Sequence, residues 1–312
     1  MKTKAFLYIV IAGLLWGTSG IFVKFLTPYG FSAPMLSLIR GTVSFLAMLT
    51  YVLIADRSIL KISLKNLIFA LLIGITLFGT ATLYYSSMQM TSVATAVVLM
   101  YTAPIYVTAF SIAFLGEKSS SLKITSIGIM LLGCALVSGI VGGLTFDAVG
   151  IALGVLSGIV YATYNVITKI ALSRGLNAIT LTLYSFLFMM LSALVMARPS
   201  AIIENAAKEP QITIPLMVGI GIFTFVLPYF FYTLSMRELP AGTASALSII
   251  EPLAATVFSA VIFKELPGII SGVGIVLIIL ATVLLGKSEN DAMKKSTAGE
   301  NDDDDIHCID HT

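Results

Sequence analysis

The chain has 312 residues and a formal net charge of +2; 58% of its residues are hydrophobic and only 11% are charged. Soluble domains average roughly 45–50% apolar and about 25% charged residues, so this composition excludes an ordinary soluble domain. The sequence contains no nucleic-acid-binding motif, so we expect no nucleic-acid partner. It also lacks a GxxxxGK[ST] phosphate-binding loop, which argues against ATP-driven activity.

Apolar segments of about 20 residues, long enough to cross a bilayer as helices, fill most of positions 6–286. The alternating pattern of β-barrel strands is absent. We therefore predict an all-α integral membrane protein with ten transmembrane helices. Their predicted bounds are 6–26, 33–54, 65–89, 92–115, 122–141, 149–171, 178–197, 212–236, 241–263 and 267–286.

The distribution of Lys and Arg sets the orientation in the membrane. With the N-terminus inside, thirteen of these cations lie in cytoplasmic segments and three, Arg198, Lys208 and Lys264, lie outside. The positive-inside rule then predicts a multi-pass protein of the plasma or inner membrane with both termini in the cytoplasm.

The last 26 residues differ from the rest of the chain. Positions 287–312 carry three cations and eight acids without apolar periodicity, which predicts a disordered acidic tail in the cytoplasm. Cys134 lies in a predicted span and Cys308 in the tail, so no structural disulfide is expected. Both histidines are also in the tail. We therefore predict no metal and no cofactor in the membrane region.

The chain contains an internal repeat. A shift of 148 positions places Thr95 on Thr243, Pro104 on Pro252 and Glu117 on Glu265. Each unit has five predicted spans, and because five is odd the two units have opposite orientations. Inverted repeats of this kind are typical of secondary transporters. We predict repeats at 1–146 and 147–286, followed by the tail.

The repeated motifs resemble the EamA family of the drug/metabolite transporter superfamily. The matching residues are Ala94-Thr95-Ala96, Pro104 and Gly116-Glu117 in the first repeat, and Gly242-Thr243-Ala244, Glu251-Pro252 and Lys264-Glu265 in the second; Trp16-Gly17 and Leu38-Ile39-Arg40 also fit. The resemblance implies two inverted five-helix halves, a central cavity and alternating access. It also implies a small-metabolite cargo, often amino acids or related compounds moved by export.

Glu251 is the acid we expect to matter most. It lies about ten residues from either end of its predicted span, and charges near the bilayer centre usually face a cavity or mark a substrate or ion path. Its counterpart in the first repeat is Ala103, so the fold does not require a carboxylate. Glu251 could carry a coupling proton or pair with a cargo ammonium; the structural alternative is a hydrogen bond to a neighbouring helix.

Pro104 and Pro252 are predicted to kink the fourth and ninth spans. A proline has no N–H for the carbonyl four residues before it, so the carbonyls of Met100 and Ser248 are freed. The kinks serve shape alone or act as hinges, and the sequence favours neither interpretation.

Further candidate residues are aromatic or polar side chains inside central spans. A cavity walled by such groups suits an amphipathic or cationic cargo through stacking and cation–π contacts, although packing is an equal alternative for each residue. The candidates are Trp16, Tyr84, Tyr101, Tyr161, Tyr164, Asn165, Tyr232 and Ser248.

Arg40 lies about seven residues inside the outer end of its span. The favoured interpretation is that it snorkels to the lipid headgroups; the alternative is that it faces the cavity and binds a carboxylate.

Transport of small organic metabolites, with protons as the coupling ion, is the leading functional hypothesis. Multidrug, quaternary-amine and nucleotide-sugar carriers share the architecture and remain alternatives. A membrane-embedded lipid-modifying enzyme is disfavoured because its catalytic residues would cluster at one membrane face, whereas the charged residues here are scattered. Substrate, direction, coupling ion and a homodimeric state stay open.

Overall fold

The computed structural model describes residues 2–91, 93–117, 119–137, 147–264 and 268–307. Within these ranges the secondary structure is helical and contains no β-strand. The first half comprises α1 (Lys2–Gly17), α2 (Ser19–Leu26), α3 (Ala33–Ala55), α4 (Leu64–Met90), α5 (Val93–Met100), α6 (Ala103–Leu115) and α7 (Ser121–Val137). The second comprises α8 (Ala148–Ser173), α9 (Ala178–Leu194), α10 (Pro199–Ala206), α11 (Pro210–Gly221), α12 (Leu227–Ser235), α13 (Ala241–Leu247), α14 (Ile250–Phe263) and α15 (Ile269–His307).

The described helices confirm a multi-pass membrane architecture. When consecutive described helices that continue in nearly the same direction are counted as one span, eight spans are long and apolar enough to cross a bilayer. The pair α9 and α10, bent by 96°, adds a ninth if it is one span, and α7 is a shorter apolar helix. Helix length and composition therefore account for eight or nine of the ten predicted spans.

Two spans are interrupted at equivalent points. The helix stops after Met100 and resumes at Ala103, and it stops after Leu247 and resumes at Ile250. Pro104 and Pro252 thus lie in the first turn of the resumed helices α6 and α14. A proline is tolerated there because the N–H that it lacks would have no intrahelical partner. Each half therefore contains a helix that is broken at this point.

The contacts between helices occur in matched sets. α1 packs against α12, α13 and α14, and its repeat counterpart α8 packs against α4, α5 and α6. In addition, α3 packs against α9, and α7 packs against α15. If each helix is replaced by its counterpart in the other half, the same pairs of neighbouring helices result. The two repeats therefore pack in equivalent ways.

Glycines allow the closest of these approaches. A Cβ on Gly17 of α1 would lie 2.6 Å from the Cβ of Ala254, and one on Gly154 of α8 would lie 2.7 Å from Leu99 Cδ1. Small residues of this kind let membrane helices approach backbone to backbone. Gly17 thereby holds α1 beside the turn that carries Glu251.

The helices divide into central and peripheral ones. Half of the apolar window in α8 and 47% of that in Ala241–Ile262 is buried, against 22% in Ile269–Ser288. The exposed side chains of the peripheral helices are large and apolar, for example Val276 and Val283. Residues on α8, α13 and α14 are therefore placed to form an interior site.

The last helix extends beyond the final predicted span. The last helix runs past residue 286 as far as His307, because the apolar helix nucleates an extension whose residues include good helix formers and no proline. The predicted boundary between the repeats falls at the edge of residues 138–146, which lie outside the described residues, as does Glu265.

Candidate functional site

Glu251 occupies the first turn of α14, directly after the break in the ninth predicted span. Its backbone N–H donates to the Ser248 carbonyl at 3.0 Å. The side chain is only partly buried, whereas Ile249 is fully buried and Pro252 is buried. A carboxylate at a helix N-terminus is stabilised by the unpaired N–H groups and the helix dipole. The helix break thus supplies a polar position for an acid within an apolar bundle.

Five aromatic rings from three helices pack together near this break. Trp16 of α1 contacts Tyr229 at 5.1 Å and Tyr232 at 5.3 Å between ring centroids, and Tyr164 contacts the same two rings at 5.9 and 6.4 Å. Tyr161 stacks on Tyr164 at 5.6 Å. The faces of such rings attract cations. This aromatic cluster, defined by Trp16, Tyr161, Tyr164, Tyr229 and Tyr232, is a surface on which an organic cation or an aromatic group can stack.

A buried amide organises the polar edges of the aromatic cluster. The Asn165 Nδ2 donates to the Tyr161 carbonyl at 2.7 Å, and the Asn165 Oδ1 accepts from the Tyr232 hydroxyl. The Tyr161 hydroxyl lies within hydrogen-bonding range of Ser248. The Ser248 Oγ in turn donates to the Ser245 carbonyl at 2.6 Å. These bonds connect α8, α12 and the segment that precedes Glu251.

Two tyrosines of the first half lie close to Glu251. Tyr101, in the break between α5 and α6, is 5% exposed, and its hydroxyl makes no hydrogen bond within the described residues that meets normal geometry. It nevertheless lies close enough to interact electrostatically with Glu251, as does Tyr84 of α4. The break of the first half, which carries Tyr101, therefore lies near the carboxylate at the break of the second half.

Arg40 is buried, and the favoured prediction that it snorkels to the headgroups is wrong. Its side chain is 6% exposed, and its Nη1 donates to the Tyr85 hydroxyl at 2.8 Å. The guanidinium carbon lies 5.5 Å from the Phe225 ring centroid, and Phe225 contacts Tyr229 of the aromatic cluster at 4.9 Å. Arg40 therefore faces the interior, within electrostatic range of Glu251.

A small cavity adjoins the aromatic cluster. Tyr164 and Tyr229 form part of its wall, and Thr168, Thr182, Ser185 and Thr233 add hydroxyl groups. About 10 Å³ is open to the centre of a water molecule, which is room for roughly one water. An organic solute would need the surrounding helices to separate.

Two polar contacts tie helices together at the end of the bundle that is predicted to face the cytoplasm. The Glu117 Oε1 accepts from the Ala241 N–H at 3.0 Å. The Lys169 Nζ donates to the carbonyls of Met236 and Leu239, each at 2.7 Å. The Lys169 ammonium thus caps carbonyl groups just after the end of α12.

The structure gathers the predicted site residues into one interior region. Residues that the sequence did not single out also contribute. Phe225 and Phe186 pack against Tyr229, and nothing in their local sequence distinguishes them from other apolar residues. Glu117 and Lys169 lie near the ends of their predicted spans. The match of Glu117 with Glu265 in the repeat is the sequence signal of a shared structural role.

The sequence is similar to proteins described as transporters in Archaeoglobus fulgidus and Clostridium kluyveri. A protein of Archaeoglobus fulgidus described as an uncharacterized transporter is 26% identical over 272 residues, covering 82% of this chain and 87% of its own length. A second uncharacterized transporter, from Clostridium kluyveri, is 26% identical over 314 residues, covering 93% of this chain and 96% of its own. Both relatives are matched over most of their length.

The fold and the family agree with this similarity. A crystal structure of a protein with 18% sequence identity superposes with a TM-score of 0.74, covering 91% of this chain and 96% of the other. The sequence model of the EamA-like transporter family matches residues 3–139 and 148–287, one segment in each half. The resemblance seen in the repeated motifs is thus confirmed, and the chain belongs to the EamA-like transporter family.

Proposed function

We propose that this membrane transporter exports amino acids or related small metabolites by alternating access and exchanges them for protons at Glu251. The observation that carries the proposal is the position of Glu251. It is the only Asp or Glu within the predicted spans, it retains accessible surface, and it lies between the two helix breaks beside the aromatic cluster. A carboxyl group there can hold either a proton or the ammonium group of a cargo.

The exchange follows from competition for one carboxylate. From the outer side Glu251 takes up a proton; on the inner side the proton leaves and the cargo ammonium takes its place. Each cycle then moves one proton inward and one cargo molecule outward, with no covalent change. Because the same carboxylate binds both, the proton gradient drives export without a second coupling site.

Ten spans in two inverted five-helix halves form the architecture that we propose for this cycle. The matched helix contacts and the broken helix in each half support it. Two structurally equivalent halves of opposite orientation can each open toward one side of the membrane. The restricted cavity beside the aromatic cluster also supports alternation, because a cargo enters only when one set of helices moves apart.

The test uses the purified chain in liposomes with a pH gradient. Because cargo and proton move in opposite directions, we expect an acidic vesicle interior to drive the uptake of at least one amino acid. Glu251→Gln should abolish this dependence on the pH gradient. Glu204→Gln is the matched control, since Glu204 is exposed on α10. Transport by Glu251→Gln that still follows the gradient would contradict the coupling role, and failure of every solute to move would contradict transport of such metabolites.

Export of quaternary amines is the second candidate. The aromatic cluster favours it, since stacked Trp and Tyr rings bind quaternary ammonium groups well. The same liposomes distinguish the two: a quaternary amine lacks a carboxylate, so its transport in preference to every amino acid would favour this candidate.

A further inference from the structure

Arg40 has hydrogen-bonding capacity that the described part of the chain does not use. Its Nη1 donates to Tyr85, but its Nε and Nη2 are buried and make no hydrogen bond with any described residue. A buried charged donor without a partner is costly. Cation–π contact with the rings of Phe225 and Tyr85, at 5.5 and 6.0 Å, compensates for part of this cost but leaves both N–H groups unpaired.

The two unpaired nitrogens lie on one edge of the guanidinium. The N–H bonds of Nε and Nη2 point in parallel, and this edge matches the two oxygens of a carboxylate in a bidentate pair. Tyr85 holds the opposite side of the group, and the flanking aromatic rings limit its rotation. The edge is therefore pre-organised for a planar anion.

Charge balance limits the kind of anion. Arg40 and Glu251 lie within electrostatic range of each other, yet neither Nε nor Nη2 of Arg40 hydrogen-bonds to a described carboxylate. A multiply charged phosphate at Arg40 would be repelled by Glu251, and Arg40 is the only guanidinium in this interior region of the described residues. A single carboxylate fits one guanidinium, and a cationic group on the same molecule would compensate Glu251.

We propose that the Nε–Nη2 edge of Arg40 is a carboxylate subsite and that Glu251 takes the ammonium of the same molecule, so the cargo is a zwitterion. This inference rests on the proposed function and adds the recognition of the carboxylate to it. The aromatic cluster then contacts the side chain of the cargo. Decarboxylated or amidated analogues lack the group that Arg40 binds.

The binding test uses Trp16 as a built-in reporter. It is the only tryptophan in the chain, it is 7% exposed, and it belongs to the aromatic cluster. The full-length protein in liposomes is titrated with phenylalanine, phenylalaninamide, phenethylamine and 3-phenylpropionate, and with the corresponding leucine series. Dissociation constants come from the Trp16 emission, and counterflow of the same compounds measures transport. Inorganic phosphate serves as the competing anion.

We expect the wild type to bind the amino acid at least tenfold more tightly than its amide or amine. Arg40→Gln should weaken amino-acid binding by about 10- to 100-fold, as the loss of a bidentate charged pair requires, and leave amine binding within about twofold. Arg40→Lys keeps the charge but not the paired donors, so it should give an intermediate loss. Arg198→Gln, which removes an exposed arginine, should change neither value.

The outcomes separate this inference from the proposed function. Three results would each overturn the subsite while leaving transport intact. The first is equal binding of the amino acid and its amide by the wild type, and the second is an equal loss of binding of both in Arg40→Gln. The third is binding of phosphate in preference to carboxylates. If 3-phenylpropionate, which has no ammonium group, binds as tightly as phenylalanine, the role of Glu251 in binding the ammonium is overturned. If no probe binds or moves under any gradient, the proposed function itself fails and the subsite with it. Retained amine binding shows that Arg40→Gln is folded.

Discussion

Glu117 and Ala241 join the two halves of the protein through one hydrogen bond. The Glu117 Oε1, just after α6, accepts from the backbone N–H of Ala241, the first residue of α13, at 3.0 Å across 124 residues of sequence. The carboxylate thereby caps one of the unpaired N–H groups at the start of α13. Since α6 and α13 are parts of the two broken helices, this bond links the elements that meet at Glu251.

Replacing Glu117 by Ala should destabilise the protein. The variant loses the cap of α13, and loss of a capping side chain costs about 0.5–2 kcal/mol. Glu117→Gln keeps a side-chain oxygen in the same place and should retain most of the stability. Thermal unfolding in detergent measures both, with Glu204→Ala as the exposed control. Equal stability of Glu117→Ala and the wild type would show that the cap contributes nothing.

Lys169→Met should also lower the stability. The Lys169 ammonium donates to the Met236 and Leu239 carbonyls, each at 2.7 Å, and a hydrogen bond to a charged group contributes about 1.5–3 kcal/mol. We expect a loss of about 2 kcal/mol in the free energy of unfolding, measured by denaturant titration in micelles. Lys61→Met, at an exposed position, is the control. A loss no larger than that of Lys61→Met would argue against the capping role.

Gly17→Ala and Gly20→Ala form a matched pair. A Cβ on Gly17 would lie 2.6 Å from the Ala254 Cβ and 2.9 Å from the Ala255 N, whereas one on Gly20 meets nothing within 4 Å. Overpacking costs about 1–3 kcal/mol, and here it would push α1 away from α14 beside Glu251. Gly17→Ala should therefore reduce both stability and transport. Gly20→Ala should keep both, because Ala is the better helix former; similar melting temperatures for the two variants would refute the close packing.

Asn165 and Tyr232 should behave as a coupled pair. Asn165→Leu leaves the Tyr232 hydroxyl without its acceptor, and a buried unpaired polar group costs about 1–3 kcal/mol. Tyr232→Phe removes that hydroxyl, so the double variant should lose less stability than the two single losses combined. A double-mutant cycle of unfolding free energies measures the difference. Simple additivity would mean that the hydrogen bond between Asn165 and Tyr232 does not contribute.

Local sequence accounts well for the course of the helices. The observed bounds of α3 and α8, Ala33–Ala55 and Ala148–Ser173, differ from the predicted 33–54 and 149–171 by at most two residues. An apolar run of the right length and a proline in the chain are local signals, so spans and breaks can be located without tertiary contacts. The last helix is an exception, because the sequence beyond residue 286 is polar yet continues the helix.

The orientation of Arg40 could not be found in the same way. Its depth in the span is a local property, and depth alone favours snorkelling. The face that it presents depends on how α3 rotates against α4 and on the position of Phe225, which lies 185 residues later in the chain. Tyr184, which by its distance from the helix start holds the corresponding place in α9, instead donates to the Leu60 carbonyl at 2.8 Å. The repeat therefore predicts the helix but not the use of the side chain.

The sequence by itself determined that the chain is a repeated helical membrane protein of the EamA-like family, with a carboxylate in the middle of a proline-broken span. Only the tertiary structure decided which side chains gather in the interior region around that carboxylate and that Arg40 is buried there. The physical reason lies in the solvent. In a bilayer both the lipid-facing and the core-facing sides of a helix are apolar, so periodicity does not mark the inner face, and packing between distant segments decides it.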